Sequence, residues 1–182
     1  MLNADPLTLG PGRFVAGVEH AEALLDLLAD PAVSEAIYAL PRPLTVASVR
    51  GWIEDCAAAR DRGEGLLILS AIEGGPVMGY SKITVWPARS SAELGGAIRA
   101  SLQNSGSGGA GAAHTIGWIF RTLKVRLIGL TAAVDNVRSA KLIDRIGFKR
   151  MGERDAVRPD GTIRRSLYWE LTADEWAALT AR

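Results

Sequence analysis

The chain has 182 residues, 48% of them hydrophobic, and its 21 basic and 20 acidic side chains leave a net charge of +1. A chain of this size hides about 70% of its unfolded surface, so residues 1–182 read as a single domain with a substantial core. The charge balance gives no footprint for nucleic acid or an anionic membrane, and no apolar run approaches the roughly 20 residues that span a bilayer. The opening Met1-Leu2-Asn3-Ala4-Asp5-Pro6 lacks the basic and apolar regions of a signal peptide. Cys56 is alone, so no intrachain disulfide forms, and a reducing, cytoplasmic setting suits it. It falls at helical spacing with Val46, Val49 and Ile53, which reads as core filling rather than a nucleophile.

In chain order, Leu7 to Leu9 and Arg13 to Val18 read as short strands broken by Gly10-Pro11-Gly12. Ala21, Leu24, Leu25 and Leu28 set a helix, Asp30-Pro31 interrupts it, and Ala32 to Ala39 forms another. Thr45 caps a helix from Val46 to about Arg62, which Gly63 and Gly65 end. Leu66 to Ile72 is a continuous apolar run, as expected of a strand covered on both faces. Gly74-Gly75-Pro76 turns it into a second arm, Val77 to Val85. Ala92 to about Leu102 is a third strand, and a Gly/Ser/Ala stretch from Gly106 opens a helix reaching Leu123. Arg126 to Val134 is a strand, Val137 to Ile146 a helix, and Gly147 its stop. Strands near Met151 to Arg158 and Ile163 to Leu171 flank the turn Pro159-Asp160-Gly161, and a short helix follows from Ala173 to Leu179. Hairpins with one strand–helix–strand unit predict an α/β (α+β) domain: one mixed, mostly antiparallel sheet with helices on both faces.

The informative segment begins at Glu93. Gln103-Asn104-Ser105-Gly106-Ser107-Gly108-Gly109-Ala110 joins a strand to a helix, where glycines let backbone N–H groups converge and the helix dipole adds positive potential. That is a phosphate site by construction. A P-loop needs a Lys-Ser/Thr pair where Ala110-Gly111 stands. A dinucleotide turn matches Gly106, Gly108 and Gly111, with Asp135 as its acidic residue, but only one strand–helix–strand unit is present. The pattern Q-x-x-G-x-G matches Gln103, Gly106 and Gly108.

With Asn136-Val137-Arg138-Ser139 and Gly147-Phe148 downstream of that turn, the chain resembles the GNAT superfamily of N-acetyltransferases. Ala29 to Val33, Pro41 to Trp52, Gly152 to Asp155, the Asp160-Gly161 turn and the tail from Tyr168 to Trp176 resemble its RimJ/RimL branch, which acetylates protein N-terminal amines. The resemblance implies a central strand splayed from its parallel neighbour by a bulge, with acetyl-pantetheine in the gap. It implies that backbone groups of Ala97, Ile98 and Arg99 pair with the pantetheine amides, with Gln103 and Asn104 leading into the turn. The N–H groups of Ser105, Gly106, Ser107, Gly108, Gly109 and Ala110 would hold the pyrophosphate. A branched side chain at Gly108 is expected to block the phosphate and strain a positive φ. Asn136 matches the residue that meets the pantetheine arm, and Ser139 stands near the departing thiolate. The family's Tyr, its usual general acid, is replaced by Ile143, so Ser139 or a water would take that role. Acetyl-CoA is then the cosubstrate, with no metal. The acceptor is an amine, either a protein N-terminus or a small molecule, and a homodimer is left open.

Glu93, on the central strand, reads either as the base that deprotonates the incoming ammonium or as an ion-paired strand residue. Asn136 also suits a helix cap, and Ser139 a first-turn position. His114, with no carboxylate one turn away, reads as a packed or surface helix residue; Trp86 reads as packing or as the wall of an acceptor pocket. Arg164-Arg165 reads as an edge-strand charge pair. Two rivals to direct acetyl transfer stand beside it: a non-catalytic acyl-CoA-binding module and a dinucleotide-binding enzyme.

Overall fold

The computed structural model describes residues 2, 7–103, 105–157 and 161–181. Asn104 and the Pro159-Asp160 part of the expected turn lie outside them. The strands are β1 (Arg13–Val15), β2 (Gly65–Ala71), β3 (Val77–Trp86), β4 (Ser91–Ile98), β5 (Leu127–Ala133), β6 (Lys149–Val157) and β7 (Ile163–Thr172). They form one sheet in the order β1-β2-β3-β4-β5-β7-β6, antiparallel throughout except between β4 and β5. One parallel pair is what a single strand–helix–strand unit makes, and it leaves no run of parallel strands for a dinucleotide fold.

The helices are α1 (Ala21–Leu28), α2 (Pro31–Ser34), α3 (Val46–Asp61), α4 (Ser107–Trp118), α5 (Val137–Ile146) and α6 (Ala173–Thr180). Each long one starts or stops where local chemistry dictates. Thr45 Oγ1 accepts from the Ser48 amide at the start of α3, and Asn136 Oδ1 accepts from the Ser139 amide at the start of α5. Gly147, at φ +107, ends α5 in the left-handed conformation that a glycine adopts most cheaply. α4 runs into a π-helical turn, Ile119–Leu123, so the expected helix to Leu123 is continuous but changes its hydrogen-bond period. Leu7 to Leu9 is not a strand: Thr8 and Leu9 offer carbonyls to Trp118 Nε1 and the His114 ring, which pins that segment along α4.

Two apolar layers form on the sheet. On one face Leu66, Ile68, Ile83, Ala92, Ile128, Leu130 and Trp169 pack against Ile116, Ile119, Ala140 and Ile143 of the α4–α5 side. On the other face Leu67, Leu69, Val77 and Tyr80 pack against α1 and α3, where Cys56 is buried among Val49, Trp52 and Ile53. The apolar run in β2 therefore serves both layers. Among the described residues the second layer draws nothing from β5, β6 or β7, and on this face β7 carries Arg164, Ser166, Tyr168, Glu170 and Thr172.

Arg164 and Arg165 are not an edge pair, because β7 lies inside the sheet and β6 takes the edge. Arg165 points outward and pairs with Glu153 at 2.5 Å. Arg164 turns inward, 9% exposed, stacks on Tyr38 at 4.0 Å from the ring centre, and donates to Ser166 Oγ and the Ala36 carbonyl.

Candidate active site

β4 and β5 pair over only three residues: Ser91 with Leu127, Ala92 with Ile128, and Glu93 with Gly129. β4 then continues to Ile98 and β5 to Ala133 without pairing, so the sheet forks just beyond Glu93. The expected bulge is not the cause. β4 keeps unbroken register with β3 from Ser91 to Ile98, and the strands separate by divergence alone. Gly95 and Gly96 line the opened edge of β4 and are exposed; a Cβ on Gly95 would meet nothing within 4 Å. Two adjacent glycines in a central strand were the overlooked sign that something approaches this backbone closely.

Glu93 sits at the fork on the polar face. Thr131 Oγ1 donates to its Oε1 at 3.3 Å. Burial pushes the carboxyl above its ordinary range, against the opposing pull of Thr131 and of the charges on Lys82, Arg154 and Arg164. The register places Thr84, Glu93, Gly129 and Glu170 in one row across β3, β4, β5 and β7. In the next row Thr131 faces Tyr168, and Tyr168 Oη donates to Glu170 Oε1 at 2.6 Å. Neither Tyr168 nor Glu170 was singled out from the sequence, where nothing but strand pairing relates them to Glu93. A partly buried acid beside an open groove, with a proton affinity above that of a free carboxylate, is chemically a proton acceptor.

The mouth of the fork lies at the C-terminal end of β4, where the chain enters the glycine turn. Ala97, Ile98 and Arg99 close that end of β4; Arg99 is pinned by donating to Asp26 at 2.6 Å and to the Val77 carbonyl. Gln103 ties the turn to both sides, donating to the Ala32 carbonyl while its own carbonyl accepts from Arg138 at the start of α5. Ser105 Oγ donates to the Leu102 carbonyl and lies 2.8 Å from Ser107 Oγ. Gly106 caps α4 at φ +86. In the helix's first turn the Ser107 amide donates to Ser105 Oγ at 3.3 Å, and the amides of Gly108 and Gly109 have no intrahelical acceptor. The Ala110 amide, expected at the pyrophosphate, donates to the Gly106 carbonyl at 3.1 Å.

The positive φ of the turn lies at Gly106, and Gly108 has none to strain. Gly108 is helical, and a Cβ there would stand 3.1 Å from Ile98 Cδ1, so its smallness serves packing of α4 against β4. A Cβ on Gly106 would meet nothing within 4 Å, so only backbone strain, on the order of 1–3 kcal/mol, opposes a side chain there. Gly106→Val is expected to weaken coenzyme A binding at least tenfold, and Gly106→Asn, which tolerates that conformation, much less. Titration calorimetry with coenzyme A on both variants checks this, and equal affinities would remove the turn from the site.

Asn136 Oδ1 caps α5, a bond that leaves its side-chain NH2 unused, and Ser139 lies half-buried one turn on, with no hydrogen bond to its hydroxyl among the described residues. Ile143 is in the core at 7% exposure. The structure thus brings the β4 end, the glycine turn and the start of α5 to the mouth of one fork, with Glu93 at its closed end. Trp86 is not core packing: it is exposed and pairs with Ser91, in the row next to that of Thr84 and Glu93. Among the described residues no group of three or more His, Cys, Asp or Glu stands close enough to hold a metal ion, and no helix is long and apolar enough to cross a membrane.

The acetyltransferase (GNAT) domain model matches residues 16–149, which spans the fork, the glycine turn and α5. The chain belongs to the GNAT acetyltransferase family. No curated protein matches it by sequence. Among solved structures it is similar to RimJ of Mycobacterium smegmatis in complex with CoA-disulfide: 21% identity, TM-score 0.77, 93% of this chain and 87% of the other. It is similar to RimL, the ribosomal L7/L12 α-N-protein acetyltransferase, in complex with coenzyme A: 17% identity, TM-score 0.77, 92% and 98% covered. It is also similar to the microcin C7 self-immunity acetyltransferase MccE in complex with acetyl-CoA and AMP: 16% identity, TM-score 0.76, 94% and 98% covered. This GNAT chain thus shares a fold with acetyltransferases whose structures hold coenzyme A or acetyl-CoA.

Proposed function

We propose that residues 1–182 act as one acetyltransferase domain that binds acetyl-CoA in the fork and passes the acetyl group to a primary amine. The observation that carries the proposal is Glu93, partly buried at the closed end of an open backbone groove whose mouth is a glycine-capped helix N-terminus. In this reading the first-turn amides of α4 receive the pyrophosphate, and the opened edge of β4 from Gly95 to Arg99 pairs with the pantetheine amides. Glu93 takes a proton from the incoming ammonium. The neutral amine attacks the thioester carbonyl, the carbon–sulfur bond breaks, and the attacking nitrogen's extra proton is relayed through Ser139 or water to the departing sulfur, so that coenzyme A leaves as the thiol. Alignment alone contributes much of such a rate, and a backbone N–H of β4 would steady the oxyanion. The ribosomal-protein enzymes among its structural neighbours support a protein α-amine as acceptor, with a small-molecule amine as the alternative. The setting we propose is the cytoplasm, where acetyl-CoA and lone thiols such as Cys56 coexist.

Two measurements test it. A ligand that binds only the folded state raises the melting temperature, by about 2.7 kcal/mol of stability at a hundredfold excess over its dissociation constant. Acetyl-CoA and coenzyme A are both expected to shift the melting curve, and a nicotinamide cofactor is not. The second is thiol release from acetyl-CoA across a panel of amines: peptides with free α-amines, amino acids, polyamines and aminoglycosides. Binding without thiol release from any amine would leave an acyl-CoA-binding module in place of an enzyme.

A further inference from the structure

In the row that joins Glu93, Gly129 and Glu170, the middle residue has no side chain. The phenol of Tyr168, from the next row, occupies that space: a Cβ on Gly129 would stand 3.1 Å from Tyr168 Cε2 and 3.2 Å from its Oη. Tyr168 therefore lies over the last paired residue of β5, beside the point where β4 and β5 part. It is held there from two other sides. Its Oη donates to Glu170 Oε1 at 2.6 Å, and the Arg154 guanidinium lies 3.3 Å from its ring centre. A phenol has one proton to give and lone pairs to receive. With the proton committed to Glu170, what Tyr168 offers the fork is an acceptor. On the other side of the row Glu93 offers a second acceptor, oriented by Thr131. An alkylammonium ion carries three N–H donors, so a cradle of two acceptors across Gly129 suits it. Burial, followed by the hydrogen bond to Glu170, pushes the Tyr168 phenol up to about 12, so the hydroxyl keeps its proton through the working range and Tyr168 offers the same acceptor throughout it.

We propose that Tyr168, set by Glu170 and Arg154, is the residue that orients the acceptor, receiving one N–H of the amine while Glu93 receives another. The inference rests on the acetyl-transfer reading above and deepens it. Two hydrogen bonds to one nitrogen fix the direction of its lone pair toward the thioester, and they require two N–H groups on the neutral amine. The site is thereby selective for primary over N-methylated amines.

The experiment uses the full chain, acetyl-CoA, and the fastest amine of the panel together with its N-methyl derivative. Tyr168→Phe removes the hydroxyl but keeps the ring over Gly129 and under Arg154. It is expected to lower kcat/KM for the primary amine by about tenfold to a hundredfold, the worth of one hydrogen bond to a charged or reacting group. KM for acetyl-CoA and the coenzyme A melting shift should stay at wild-type values, and the N-methyl derivative should lose little. Glu170→Gln keeps the phenol and offers it a competing N–H, so an intermediate loss is expected; it carries the test if Tyr168→Phe does not fold. Unchanged kcat/KM for the primary amine in both variants, with coenzyme A binding intact, overturns the role of Tyr168 and leaves the transfer reading standing. A loss in coenzyme A binding equal to the loss in kcat/KM also overturns it, since the hydroxyl would then serve the fold of the fork. Absence of an acetyl-CoA melting shift or of any acceptor in the wild type overturns the transfer reading and this inference with it.

Discussion

Glu93→Gln is expected to lower turnover by about 10²- to 10⁴-fold at neutral pH, the range for removal of a general base. The loss should shrink as the pH rises, because a solution base can then supply the neutral amine. The pH at which the variant recovers reports the acceptor: about 8 for an α-amine and about 10 for an alkylamine. The same substitution is expected to stabilise the protein. The folded-state pKa of Glu93 is raised, chiefly by burial, so its ionisation costs the folded state. Below the unfolded value, about 4.3, the group is protonated in both states and costs nothing. As the pH climbs through the folded-state pKa, the wild type loses stability and Glu93→Gln does not. Rate–pH profiles and melting curves on the two proteins check both halves. A variant slower but no more stable above neutral pH would mean that Glu93 is not desolvated at the fork, and a wild-type rate would end its role as base.

Trp169→Ala is expected to have the largest effect on stability. Trp169 is fully buried on β7 in the layer beneath α5, its Nε1 donates to Asp144 at 2.8 Å, and it pairs with Leu130 across β5. Emptying such a site costs about 3–5 kcal/mol. At about 2–4 °C per kcal/mol for a domain of this size, the melting temperature should fall by roughly 6–20 °C. Asp144 keeps its two hydrogen bonds from Arg150, so the loss is one of packing rather than of a stranded carboxylate. Urea unfolding measures it; a change below about 1 kcal/mol would mean that α5 does not depend on this contact.

What was legible in the sequence follows from the range of the interaction responsible. α1 and α5 fall at their expected residues because apolar spacing, a cap and a glycine stop are local signals: Asn136 before α5 and Gly147 after it need nothing from elsewhere. The expected helix from Ala32 to Ala39 shrinks to Pro31–Ser34, because Tyr38 is used instead to stack on Arg164 of β7. The third strand stops at Ile98 rather than Leu102, where the chain must turn toward α4. β6 and β7 were legible as strands but not in their order, which reverses their sequence and moves Arg164 from an edge to the interior. The candidate site divides in the same way. The glycine turn, Glu93 and the Asn136 cap could be read from local pattern. Tyr168 and Glu170 could not, since they meet the fork only through β7 pairing with β5.

The fork has a consequence for how the molecule holds itself together. Among the described residues, three rungs of a parallel ladder, Ser91 to Glu93 against Leu127 to Gly129, are the only strand pairing between a four-stranded and a three-stranded half-sheet. Past them, the facing edges of β4 and β5 carry backbone groups that the chain does not pair with each other. A ligand whose own amides filled that gap would supply the absent rungs, so the two half-sheets would be joined by a metabolite as well as by the protein. The rigidity of the sheet would then follow occupancy of the fork, with the hinge stiff when coenzyme A or its acetyl form is bound and loose when the fork is empty.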